Sequence, residues 1–165
     1  MDNNATRAGI SPVRIGIALL AVGTAGIHLY LFLIEGFLGT GEMLPIYQLL
    51  FVGNVFAYAT LGAALLLPLS PLARFRSFVR VVLISVAVAS IASYFYVGVL
   101  DAVGHIDKVI EVLLIVLVTM DAATSGTEKD LAGRYAGGAT GVAVQLVAGI
   151  AVGIVMFLAL TPLMV

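Results

Sequence analysis

The sequence predicts an all-α integral membrane protein, a helical bundle of five transmembrane helices with four as the alternative, oriented N-in/C-out. Three observations predict it. Hydrophobic residues make up 62% of the 165 and charged residues 10%, where ordinary soluble domains run at roughly 45–50% and about 25%; the mean hydropathy is +1.18. The apolar residues are gathered into runs of about twenty, the length that crosses a ~30 Å hydrocarbon core. Five such runs also sort the basic residues to one side of a membrane.

The first span covers 13–37, "VRIGIALLAVGTAGIHLYLFLIEGF", behind Pro12, a residue suited to a helix start. The short, glycine-rich "LGTGE" turns the chain back into a second span, 43–69, with Pro45 in its first turn and Pro68 at its end. The basic turn "SPLARFR" leads into the third span, 77–100. Gly104 is expected to interrupt the helix there, so a shorter fourth span is expected over 107–124, entered and flanked by charges. The hydrophilic "SGTEKDLAGRYAGG" separates it from the last span, 139–164. Residues 1–165 then form one transmembrane domain, with no room for a separate soluble one.

With the N-terminus in the cytoplasm, Arg7, Arg14, Arg74, Arg76, Arg80, Lys129 and Arg134 fall inside, and of the 8 basic residues only Lys108 falls outside. This alternation needs an odd number of spans, and it suits a multi-pass protein of a prokaryotic cytoplasmic membrane. The polar "MDNNATRAGISPVR" leads into no short apolar region with a cleavage site and is expected to be retained. "NAT" at Asn4 to Thr6 matches a glycosylation sequon by chance on this orientation. The absence of cysteine excludes disulfides, thiolate metal sites and cysteine nucleophiles. A net charge of −1 offers no face for nucleic acid. "GFLGTG" follows no strand and fails as a phosphate loop, and no hydrolase motif is present.

Ionisable residues inside a span cost a few kcal/mol each, so each needs an account. His28 lies slightly beyond the middle of the first span, and Glu35 stands two turns further on the same face. Asn54 is at a similar depth in the second span and is a candidate partner for His28, with Tyr58 and Thr24 as alternatives. Asp107 and Glu111 share a face at i, i+4, while Lys108 and Glu111 can pair at i, i+3. With Glu42, Asp101 and His105 these residues collect in the outer half, whereas the inner half holds little beyond its basic flanks, Asp121 and Gln145.

Four uses compete for this cluster. Mutual pairing is the simplest: Lys108 with Glu111 and Asp101, and Asp107 as the acidic cap of the fourth helix. An ion or proton path through His28, Glu35, Asp107 and Glu111 is chemically sensible. A metal site from His28, Glu35, Asp107 and Glu111 has suitable ligand types but no spacing motif to fix its geometry. A haem held by two histidines would join His28 to His105, whose depths differ. No cofactor is expected, with haem or a metal ion as the remaining possibility, and Asp121 is expected to be interfacial.

Gly149 and Gly153 form a GxxxG pair, as do Gly137 and Gly141, which lets helices approach closely. The segments "AGIHLYL" and "GHIDKVIEVLLIVLVTMDA" resemble a family of small prokaryotic integral membrane proteins of unknown function, with an HLxL-like first span and a GxIDKxIEV fourth span. The resemblance covers roughly residues 8–124, rests on Gly104, Asp107, Lys108 and Glu111, and implies no activity. The expected function is a non-enzymatic accessory or structural subunit. It would contact the bilayer and other integral membrane subunits, or further copies of itself. A small ion- or proton-linked channel or carrier is the alternative, and a haem- or metal-binding membrane protein the third reading.

Overall fold

The computed structural model describes residues 11–38, 43–67, 69–98, 100–125 and 138–164, with the backbone alone at 35–37, 70 and 71. Among these residues there is no strand. The elements in order are α1 (Pro12–Leu31), continued as a π-helical turn over Phe32–Phe37, α2 (Pro45–Leu66), the short α3 (Ser70–Ala73), α4 (Arg76–Val97), α5 (Ala102–Thr124) and α6 (Gly138–Leu160), which ends in a 3-10 turn at Thr161–Leu163. Pro12 and Pro45 open α1 and α2, where a missing N–H costs nothing. Gly98 closes α4 at φ +76°, in the left-handed region that favours glycine, and its N–H reaches the Tyr94 carbonyl.

Side-chain contacts fix the register. Arg14 meets Asp121, the start of α1 against the end of α5, while Thr24 meets Asp107, so these helices are antiparallel. Arg80 with Asp121 and Ser90 with Lys108 set α4 antiparallel to α5. Gly62 of α2 sits against Ala21 of α1, and His28 against Phe51, again antiparallel. Gly149 lies on Ile84, Gly153 on Ser85 and Val88, and the Phe157 ring on Tyr96, so α6 runs parallel to α4. One end of the bundle therefore holds the starts of α1, α4 and α6 with the end of α5, and is called here the arginine end. The other, the cavity end, holds Leu44, Asp101 and Met164; Tyr47 there donates a 2.8 Å hydrogen bond to the Met164 carbonyl.

Four helical segments are long and apolar enough to cross a membrane: Pro12–Ile34, Pro45–Leu66, Arg76–Val97 and Gly138–Leu163. Most of their exposed side chains are apolar, Leu19, Phe56, Phe78 and Val155 among them, which fits contact with lipid tails. Between the helices Ile17, Ala21, Tyr58, Leu65, Leu83, Ala87, Leu114 and Val118 form the core.

The fifth long helix, α5, carries too many charges for that group but runs the full height of the bundle. Its polarity is inverted: Asp107, Lys108, Glu111 and Asp121 are buried, while Ile106, Val109, Val112, Val116 and Met120 are exposed. The buried stripe recurs every three or four residues, ionic towards both ends and apolar at Leu114 and Val118 in between.

α5 starts at Ala102, earlier than the expected 107. Asp101 is its cap, accepting from the Gly104 N–H at 2.6 Å, and Asp107 is one and a half turns inside. The chain breaks at Gly98 and continues helically through Gly104, whose missing side chain leaves room for the Tyr94 ring. The pair Gly149 and Gly153 lets α6 lie on α4 within the chain: a Cβ at Gly153 would come within 2.7 Å of the Ser85 carbonyl and of Val88 Cβ. Gly137 of the second GxxxG pair lies outside the described residues.

Candidate functional site

At the cavity end α5 turns Asp107, Lys108 and Glu111 towards the other helices, as the i, i+3 and i, i+4 spacing requires. The Lys108 ammonium is 2.9 Å from Asp107 Oδ2 and 2.7 Å from Glu111 Oε2, and donates to Ser90 Oγ of α4 at 2.7 Å. Two of its donors are engaged in hydrogen bonds, and Asp107 is held as an ion pair. Thr24 Oγ1 of α1 donates to Asp107 Oδ1, and the Tyr58 hydroxyl of α2 to Glu111 Oε1 at 2.6 Å. Tyr58 and Glu111 are 0% exposed and Asp107 2%. Four helices thus converge on a pair of carboxylates that share one ammonium. Fully ionised, the two carboxylates and one ammonium sum to −1.

His28 completes the group. Its Nδ1 lies 2.9 Å from the Thr24 carbonyl, the geometry of an N–H donating to the backbone, and 3.8 Å from Asp107 Oδ2. The ring leans on Phe51 and Tyr58. With Nδ1 carrying the proton, Nε2 is a lone-pair acceptor, and it has no partner among the described residues.

Beside this group lies a cavity of about 370 Å³. Its polar wall is His28, Asn54, Ser90, Asp107 and Lys108; Leu50, Phe51, Val86, Met156 and Leu160 line the apolar remainder. It extends to Met43, Leu44, Asp101 and Met164 at the end of the bundle. The sequence-derived partners are rearranged here. His28 contacts Thr24 and Tyr58, and Asn54 lines the cavity with it. Lys108 pairs with Asp107 and Glu111, and Asp101 caps the helix instead. The side chain of Glu35 and the whole of Glu42 lie outside the described residues.

His28, Asp107 and Glu111 offer ligand atoms within 4.8 Å of one another. The Lys108 ammonium, however, occupies the position between the two carboxylates that a shared metal ion would take, so the residues as arranged do not fit a metal. His105 is two residues before Asp107, about 200° around the helix. It is exposed and held by the Asp101 carbonyl and the Tyr94 hydroxyl. The two histidines face different spaces.

A second ionic group occupies the arginine end. Asp121 is 1% exposed and Arg80 0%. Asp121 Oδ1 accepts from Arg14 Nε at 2.9 Å, and Oδ2 from Arg80 Nε at 2.9 Å and Nη2 at 2.7 Å. Arg80 Nη2 also donates to Ser125 Oγ at 2.6 Å, and that hydroxyl donates to the Asp121 carbonyl at 2.7 Å. Asp121 is therefore a buried tie between α1, α4 and α5, not the interfacial residue expected, and Arg80 is fully buried in that tie. A usable signal existed: Arg80 stands one turn inside its apolar helix, and Asp121 one turn before the end of the antiparallel neighbour.

No protein-family model matches the chain, and neither a curated protein nor a solved structure matches it.

Proposed function

We propose that this multi-pass membrane protein is a proton-linked carrier, with its exchange site at Asp107, Glu111, Lys108 and His28. The observation that carries the reading is a buried pair of carboxylates with a single ammonium between them, of which Asp107 and Lys108 line a cavity that reaches the end of the bundle. A residual charge of −1 inside a membrane is costly, so the site keeps neutrality by holding a proton or a cation and can exchange one for the other. The groups facing it from the packed elements are Thr24 and His28 of α1, Tyr58 of α2 and Ser90 of α4. At the other end Asp121, Arg14 and Arg80 close the interior, which favours a carrier over an open channel.

All five long helices cross the bilayer in this reading, the apolar outer face of α5 meeting lipid. The cavity end faces outward and the arginine end the cytoplasm, as the distribution of Arg74, Arg76, Lys129 and Arg134 favours. The accessory-subunit reading drew on the GxxxG pair, and Gly149 and Gly153 are occupied by α4 of the same chain. Nothing in the site supports that reading over the carrier. The test is proton movement into vesicles that hold the purified protein, driven by an outward gradient of potassium, sodium or benzyltrimethylammonium without a membrane potential and read with an internal pH dye. Uptake above that of protein-free vesicles, reduced to their level by Glu111→Gln, is expected. Uptake no faster than in protein-free vesicles overturns the reading.

A further inference from the structure

We propose that the cavity takes a small protonated amine carrying an apolar body, an inference that rests on the carrier reading for the purpose of the site. Three features of the site select this class. The first is charge. With Asp107 and Glu111 sharing only Lys108, the interior favours a cation and repels an anion.

The second is His28. It is 2% exposed, it forms part of the cavity wall, and its Nδ1 is committed to the Thr24 carbonyl. Its Nε2 therefore offers a lone pair to whatever occupies the cavity, and a lone pair asks for an N–H or O–H donor. A bare metal ion is disfavoured because Lys108 already stands between the carboxylates. An alkylammonium can keep Lys108 in place, donate one N–H to His28 and approach Asp107 from the cavity side.

The third is the remaining wall. Leu50, Phe51, Val86, Met156 and Leu160 have no use for a small hydrated cation. They would cover an apolar group, with the Phe51 face and the Met156 thioether adaptable to its shape. The volume of about 370 Å³ falls in the range of small-molecule sites, roughly 300–1,000 Å³. Binding is balanced in charge: the ammonium enters as the proton held by the site leaves to the medium, one for one, and no bond within the amine is broken.

The test is titration calorimetry on the full chain in lipid nanodiscs with four probes of similar shape: phenethylammonium, benzyltrimethylammonium, propylbenzene and 3-phenylpropanoate. Saturable binding of phenethylammonium is expected, with benzyltrimethylammonium, which has no N–H, weaker by roughly ten-fold or more. Propylbenzene is expected to bind more weakly still and 3-phenylpropanoate not at all. His28→Leu should reduce the preference of the primary amine over the quaternary ion to near unity.

Equal binding of the neutral or anionic probe, or no binding of phenethylammonium, overturns the proposal; the probe series on the unaltered chain decides this even where a variant fails to fold. Proton uptake in vesicles without amine binding overturns the ligand class alone. Amine binding without proton uptake overturns the carrier reading alone.

Discussion

Two buried carboxylate groups stand in one bundle, and they are built to different ends. Asp121 has both oxygens engaged by the guanidinium groups of Arg14 and Arg80 and does not line the cavity at the other end. Asp107 and Glu111 divide one ammonium between them, and Asp107 and Lys108 border open space. The first is a tie that holds three helices in register. The second is a site whose charge is completed by something that can come and go. A carboxylate under apolar helices is therefore neither structural nor functional by type; complete counter-charge and adjoining space decide.

The sharpest way to break the comparison is to remove one partner from each group. Arg80→Leu leaves Asp121 buried and short of its main donor, and should cost about 3–5 kcal/mol, read as unfolding free energy in mixed detergent. Adding Asp121→Leu to that variant should recover most of the loss, because an apolar pair replaces an ion pair at little net cost. Lys108→Met removes the ammonium at the cavity end. There a proton can settle between the carboxylates and water can enter, so the cost should be smaller, about 1–3 kcal/mol. Equal losses in Arg80→Leu and Lys108→Met would make the two groups the same in kind.

Below these in size is Gly153→Ala. It should cost about 1–3 kcal/mol by pressing α6 away from Ser85 and Val88, and should do so in isolated monomers, since the contact is internal. The smallest effect is expected of Gly98→Ala, about 1–2 kcal/mol for a left-handed residue with a side chain. It touches neither ionic group, so proton uptake in vesicles should stay at the level of the unaltered chain.

The long helices were legible because runs of apolar residues between turn-forming glycines and prolines depend on local sequence. The face shared by Asp107, Lys108 and Glu111 was legible for the same reason, as helical spacing is local. What lies opposite a face is not. Arg80 and Arg14 read as cytoplasmic flanks because arginine at a helix start is common there, and the arrival of Asp121 from α5 draws both inward, Arg80 to full burial. Ser90 reads as an ordinary small polar residue and Thr24 as an alternative partner of His28; that Lys108 and Asp107 stand opposite them is visible only in the fold. The start of α5 differs from the expected 107 because Gly104 reads locally as a breaker, whereas the left-handed Gly98 ends the preceding helix and Asp101 caps the next.

The inverted polarity of α5 bears on how the protein is made. The insertion machinery meets a segment before its neighbours surround it, and an ionised residue near the helix centre then costs about 2.5–3.5 kcal/mol. Alone, α5 is a poor candidate for release into lipid. Following α4 directly in the chain, it can enter as half of a hairpin whose other half already carries Arg80 and Ser90. If α5 crosses the bilayer as proposed, its insertion is tied to that of α4, and its ionic side chains find α1 already in place.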